Sequence, residues 1–221
     1  MKISDRALTV LKNFSSINQS IIIEPGNAIV TMSPQKTIMA KAVVEDNFER
    51  TMCIYDLSQF LQVLSLFKQP ELELETESVL IHDSQKKSRY FYADESLLLH
   101  PPTKDLKVKE DITFFLPYQA ISSILKATNI LSVPEIAFVG EGGKLYIRSV
   151  DTKNASSNSL SHELGDTDAG EFTVIFKPEY LAKLFDADYD VIISSSKIAR
   201  FEAKNIVTYW IAVESNSTFW H

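Results

Sequence analysis

Cysteine is almost missing from this chain. Cys53, within the apolar run "TMCIYD", is the only one in 221 residues. An intrachain disulfide is therefore excluded, and a buried structural thiol in a reducing compartment is expected. Long apolar runs are missing too: none approaches the roughly 18 residues a membrane span needs. The stretch from Met1 to Ser20 has neither the apolar block nor the cleavage pattern of a signal peptide, so the expected location is a cytoplasm, with no membrane partner. Catalytic patterns are also lacking. The four histidines, His82, His100, His162 and His221, are scattered, and no HExxH, GxSxG, P-loop or CxxC occurs. The pairs His82-Asp83 and His162-Glu163 are no more than chance produces, and Asp5 and Asp56 match no metal or nucleophile pattern. Neither an enzyme nor a bound cofactor or metal is expected.

Composition is that of an ordinary globular protein, 45% hydrophobic and 23% charged, and the length suits two domains of about 100 residues. Four segments share one design, a capping residue followed by a helical run: "DRALTVLKNFSSI" from Asp5, "DLSQFLQVLSLF" from Asp56, "PYQAISSILKAT" from Pro117 and "PEYLAKLF" from Pro178. Their starts lie 51, 61 and 61 residues apart. Between them run β-branched and aromatic stretches broken by turn residues. "SIIIEPGNAIVTMS" reads as a hairpin about Pro25-Gly26-Asn27 and "EIAFVGEGGKLYIRSV" as another about Gly142-Gly143. The expected fold is α+β: one module used twice, each copy with two short helices and eight or nine strands. "DESLLLHPPTKDLKVKED" separates the halves, its Pro101-Pro102 pair blocking regular structure. The expected division is residues 1–94, a connector over 95–110, and 111–221. Leu97, Leu98 and Leu99 imply that the connector packs along a surface.

Charge is unevenly placed. The formal net charge is −7, which taken alone argues against a nucleic-acid partner. Counted over 2–15, 57–68, 117–128 and 177–185, however, the helical segments carry +2, +1, +1 and +1, and the rest of the chain carries −12. Placed at 100° per residue, the first and third segments set basic and small polar groups opposite an apolar face, the second sets Ser58, Gln59, Gln62 and Ser65 there, and in the fourth only Glu179 and Lys183 are clearly outward. A surface with lysines and almost no carboxylates suits a phosphate backbone. "ELELETES" shows the opposite character. In an extended strand Glu71, Glu73, Glu75 and Glu77 would line one face, and Leu72 and Leu74 the other.

"LTVLKNFSSINQSIII", "CIYDLSQFLQVLSLF" and the ending "YWIAVESNSTFWH", in that order, resemble the sliding clamps, the DNA polymerase processivity factors, of T4-type tailed bacteriophages. The resemblance runs along essentially the whole chain. It implies the DNA clamp fold: two similar domains, each with two short helices on one face of antiparallel sheets, assembling into a closed trimeric ring. The ring would encircle duplex DNA without reading sequence. Implied partners are the C-terminal peptide of a DNA polymerase, an ATP-dependent clamp loader and, as in some relatives, late transcription factors, in the cytoplasm of an infected bacterial host. Residues implied to face DNA are Lys2, Arg6, Lys12, Asn13, Gln59, Gln62, Lys68, Gln119, Lys126 and Lys183. The last strand of the first domain, "KSRYFYAD", would pair across subunits with "SNSLSHEL". The implied interface comprises Lys87, Arg89, Tyr90 and Tyr92 on one side and Leu160, His162 and Glu163 on the other, with Lys87 and Arg89 meeting Glu163. A partner pocket is implied near Leu97, Leu98, Val108, Trp210 and Val213.

Two other readings compete with the clamp. "KKSRYFY" interleaves basic and aromatic residues as a single-strand-binding surface does, although alternation turns Tyr90 and Tyr92 away from Arg89 and Phe91. Net acidity would also suit a protein-binding scaffold with no nucleic-acid role.

Overall fold

The computed structural model describes residues 1–102 and 104–220; His221, considered above, lies outside them. The chain divides into two compact units, Met1–Asp105 with Asn205–Val207, and Leu106–Lys204 with Thr208–His221.

In the first unit, α1 (Asp5–Phe14) is followed by β1 (Ile21–Ile23), β2 (Gly26–Met32), β3 (Ile38–Phe48) and β4 (Met52–Ile54). Then come α2 (Leu57–Ser65), β5 (Glu71–Leu74), β6 (Ser78–His82), β7 (Lys87–Phe91) and a single 3-10 turn, Glu95–Leu97. Ser4, not Asp5, caps α1: its hydroxyl accepts from the Ala7 N–H, and Asp5 becomes an acidic first-turn residue favoured by the helix dipole. Asp56 caps α2 as expected, its Oδ1 accepting from the Gln59 N–H at 2.8 Å. Ala7, Val10, Leu11 and Phe14 of α1 and Leu57, Phe60 and Leu64 of α2 are buried, and α1 packs on both α2 and β3. Eleven residues long, β3 alternates buried and exposed side chains from Ala40 to Phe48, the signature of a half-buried antiparallel strand.

Three sequence expectations fail here. Pro25-Gly26-Asn27 does not close a hairpin, because β1 pairs with β4, Ile22 opposite Cys53, whereas β2 pairs with β3. Gly26 at φ 120° turns the chain between two different sheets. "ELELETES" is a strand only as far as Leu74. The Glu75 N–H donates to the Ser78 carbonyl, closing a tight turn, and the Glu75 carboxylate accepts from Ser78 Oγ and Arg89. Glu71 and Glu73 remain on the exposed face; Leu72 is buried and Leu74 half-buried. Among the described residues the unit also holds seven strands, short of the expected eight or nine.

The second unit runs β8 (Ile112–Leu116), α3 (Tyr118–Leu131), β9 (Glu135–Glu141), β10 (Lys144–Val150), β11 (Leu160–Asp166), β12 (Phe172–Phe176), α4 (Pro178–Leu181), β13 (Tyr189–Ser194), β14 (Ile198–Ala203), β15 (Val207–Ala212) and β16 (Thr218–Phe219). Gly142 and Gly143, at φ 57° and 78°, close the β9–β10 hairpin as a two-residue turn that needs positive φ at both positions. β9 to β12 and β16 form one sheet in the order β11-β10-β9-β12-β16, and α3 packs against β9, β10 and β11. Phe138, Phe176, Phe201 and Tyr189 centre the core, with ring centroids 5.7 to 6.5 Å apart in edge-on or tilted pairs. α3 extends three residues past the expected Thr128 and ends where Ser132 adopts the left-handed conformation at φ 54°. α4 is a single turn that stops at Leu181.

The connector is anchored at its start. Leu98 is buried with Ile22 and Cys53, and Tyr92 and Ala93 pack against them, whereas Leu97 is exposed. Burial also pushes the Cys53 thiol above its ordinary range, as suits a structural cysteine.

Candidate nucleic-acid interface

None of the ten residues assigned to the nucleic-acid face is buried. In the first unit, Lys12, Gln59, Gln62 and Lys68 are exposed on α1, on α2 and just past its end. A groove of about 360 Å³ lies between these helices, with Lys2, Lys12 and Lys68 on its walls beside Asp5 and Ser65. The exposed face of α2 carries no acid at all: Ser58, Gln59, Gln62 and Ser65. In the second unit, Gln119, Ser123 and Lys126 are exposed on α3, opposite buried Ala120, Ile121 and Ile124.

Four of the ten are placed differently from the sequence reading. Lys2 lies ahead of α1 in a β-bridge to Glu71, and its Nζ is 3.7 Å from the Glu71 carboxylate. Arg6, half-buried, donates from its guanidinium to the Asn205 carbonyl, so it helps to hold a turn in place. Gln59 accepts from the Tyr90 hydroxyl at 3.3 Å. Lys183 falls beyond the single turn of α4.

The proposed subunit-edge strands both lie at sheet edges. β7 is the outer member of β5-β6-β7, and β11 the outer member of its five-stranded sheet. Side chains alternate along β7, with Lys87, Arg89 and Phe91 exposed, the last at 68%, and Ser88 and Tyr90 half-buried. The Tyr90 ring meets Phe60 edge-on at 5.2 Å and its hydroxyl donates to the Asp56 carbonyl at 3.2 Å. Tyr92 lies past the end of the strand; its hydroxyl is buried without a hydrogen-bond partner among the described residues, and burial pushes its pKa up to about 12. These contacts separate the two tyrosines from a base-stacking surface. β11 starts later than "SNSLSHEL" suggests, at Leu160, and His162 and Glu163 are exposed on it. Within the single chain the expected cross-strand charges have partners of their own. Arg89 pairs with Glu75 at 3.0 Å, and Glu163 pairs with Lys144 at 3.2 Å. All four side chains are at least a third exposed, so such pairs contribute little to stability.

Of the pocket candidates, Leu98, Trp210 and Val213 are buried, and Trp210 Nε1 donates to the Leu106 carbonyl at 2.9 Å. The cavity beside the connector, about 320 Å³, has other walls: Ile22, Ala28, Val30 and Met39, with Pro101 and Pro102. Lys41 and Asp105, paired at 2.7 Å, also line it. Sequence reasoning missed this site because its apolar members are scattered over three strands, Ile22 on β1, Ala28 and Val30 on β2 and Met39 on β3.

Helices on antiparallel sheets in each unit, with lysines and amides on the exposed helix faces, define the DNA clamp fold. The structure of A. fulgidus PCNA with the C-terminal region of FEN-1 bound superposes with a TM-score of 0.71 at 14% identity, covering 96% of both chains. Sequence narrows the class. A family model described as DNA polymerase processivity factor matches residues 4–98. The sliding clamp of Vibrio phage KVP40 is 29% identical, covering 97% of this chain and all of that one. The sliding clamp of Enterobacteria phage T4 is 28% identical over 99% of each. Along nearly its whole length the chain is thus similar to the sliding clamps of these phages, and its first unit matches the DNA polymerase processivity factor model.

Proposed function

We propose that three copies close into a ring around duplex DNA and tether the replicative polymerase. The observation that carries this reading is the acid-free exposed face of α2, matched by Gln119, Ser123 and Lys126 on α3, in a chain of net charge −7. Three copies would set about +15 of helix-borne formal charge around the DNA. Such a lining holds phosphates without reading bases, so binding is nonspecific and weakens with salt. Topology, not affinity, keeps the ring in place and leaves it free to slide. Glu73 would then face outward, where repelling nucleic acid does no harm, whereas Glu71 stays paired with Lys2.

Ring closure joins β7 of one copy to β11 of the next by edge pairing, a head-to-tail contact that closes when the rotation is a third of a turn. Residues 95–110 serve as the interdomain connector between domains 1–94 and 111–221. A peptide from the polymerase C-terminus docks beside that connector, where Leu97, Leu98, Val108, Trp210 and Val213 were expected and where the 320 Å³ cavity offers apolar walls. An ATP-dependent loader opens the ring, late transcription factors use it as a tracking coactivator, and the protein itself performs no catalysis. All of this takes place in the cytoplasm of the infected host. The solution mass tests the core of this reading. Sedimentation equilibrium at micromolar concentration should return three times the 25.0 kDa chain mass, and a monomer there would overturn it.

A further inference from the structure

Three ligating side chains from separate stretches of the first unit converge at the start of the connector. Glu24 follows β1, Glu95 opens the 3-10 turn and His100 precedes the Pro101-Pro102 pair; one carboxylate oxygen from each glutamate and an imidazole nitrogen all lie within 4.8 Å of one another. His100 Nε2 is 3.6 Å from Glu95 Oε1. Glu24 is steadied from outside the group, because Thr51 Oγ1 donates to its Oε2 at 3.1 Å. Ligating carboxylates commonly have such an outer partner.

We propose that Glu24, Glu95 and His100 bind a divalent transition-metal ion of the zinc class, and that the ion pins the connector to the segment after β1. One imidazole and two carboxylates form a nitrogen-and-oxygen set that suits zinc, cobalt or nickel better than magnesium, which prefers an all-oxygen octahedron. Two carboxylates also balance the ion's charge. Bonds of about 2.0–2.2 Å in a tetrahedron require ligand atoms roughly 3.3–3.6 Å apart. Each side chain therefore moves by about an ångström, within the reach of exposed rotamers. A fourth position stays open to water. Glu24, His100 and Pro101 also line the 320 Å³ cavity, so the ion would sit at its rim and fix one wall. The site rests on local geometry and not on the clamp reading.

The test is titration of the tag-free chain with Zn²⁺ by calorimetry and with Co²⁺ by visible absorption. One ion per chain is expected, with tetrahedral cobalt bands. His100→Ala and, separately, Glu95→Gln should each weaken binding tenfold or more, while His82→Ala and His162→Ala leave it unchanged. Zn²⁺ should raise the melting temperature of the parent but not of His100→Ala, since a ligand that binds only the folded state stabilises it. Absence of saturable binding, or binding that His100→Ala leaves intact, would overturn the proposal.

Discussion

Replacing Lys12, Lys68 and Lys126 together by glutamine probes the proposed nucleic-acid face with little disturbance of the fold. All three are exposed, and Gln matches Lys closely in helix propensity. Arg6 is left out because its guanidinium holds the Asn205 carbonyl, so losing it would confuse stability with binding. The change lowers the helix-borne charge from +5 to +2 per chain. If each lysine neutralises one phosphate, the slope of log K against log salt on duplex DNA becomes shallower by about 0.9 per contact, roughly 2.7 for each chain engaged. Unfolding free energy should shift by no more than about 0.5 kcal/mol per site, as at other exposed positions. The assay is fluorescence anisotropy of labelled duplex across a salt series, with a denaturant melt in parallel. An unchanged slope in a normally folded variant would refute the assignment of these lysines to the DNA face.

Other predictions address the scaffold and the edge. Asp56→Ala removes the cap of α2 and should cost about 1 kcal/mol in urea unfolding. Gly140→Ala would place a Cβ 2.4 Å from Phe172 Cε1 and 2.6 Å from the Gly170 carbonyl oxygen; because that oxygen is backbone and yields little, a loss of about 1–3 kcal/mol is expected in the same melt. Phe91→Asp, at an exposed position on β7, should yield monomers by sedimentation with an unchanged circular dichroism spectrum; Tyr90 is a poorer choice because it packs on Phe60. Asp111 gives a pH signature. Its carboxylate accepts from Lys109 Nζ at 2.6 Å and from the Ser195 N–H at 2.8 Å, and these bonds hold its pKa well below the carboxylate range. A depressed folded-state pKa means stability that is present above the unfolded value, about 4, and lost as pH falls below it. Asp111→Asn should therefore be clearly less stable than the parent at pH 7, with the difference narrowing towards pH 2.

The helices were legible in the sequence because their apolar residues recur at helical spacing behind start signals such as Asp56 and Pro117. The Gly142-Gly143 turn was legible because two consecutive positive φ angles favour that residue pair. Strand partners were less so. Nothing local in "SIIIEPGNAIV" says that β1 pairs with β4, thirty residues on, and not with its neighbour β2. The alternation in "ELELETES" continued past the point where Glu75 turns the chain, because a turn built from a carboxylate, a serine and an arginine has no period of its own. Arg6 looked like any outward cation, and only the folded chain brings the Asn205 carbonyl to it. The convergence of Glu24, Glu95 and His100 was likewise hidden, since 71 residues separate Glu24 from Glu95.

Retention on DNA of different topology tests the ring most directly. Once assembled on a closed circular duplex, the protein should stay bound through gel filtration at a salt concentration that abolishes its binding to short duplexes, and should be released when the circle is cut once. Equal loss from circular and linear DNA, or equal retention on both, would contradict encirclement.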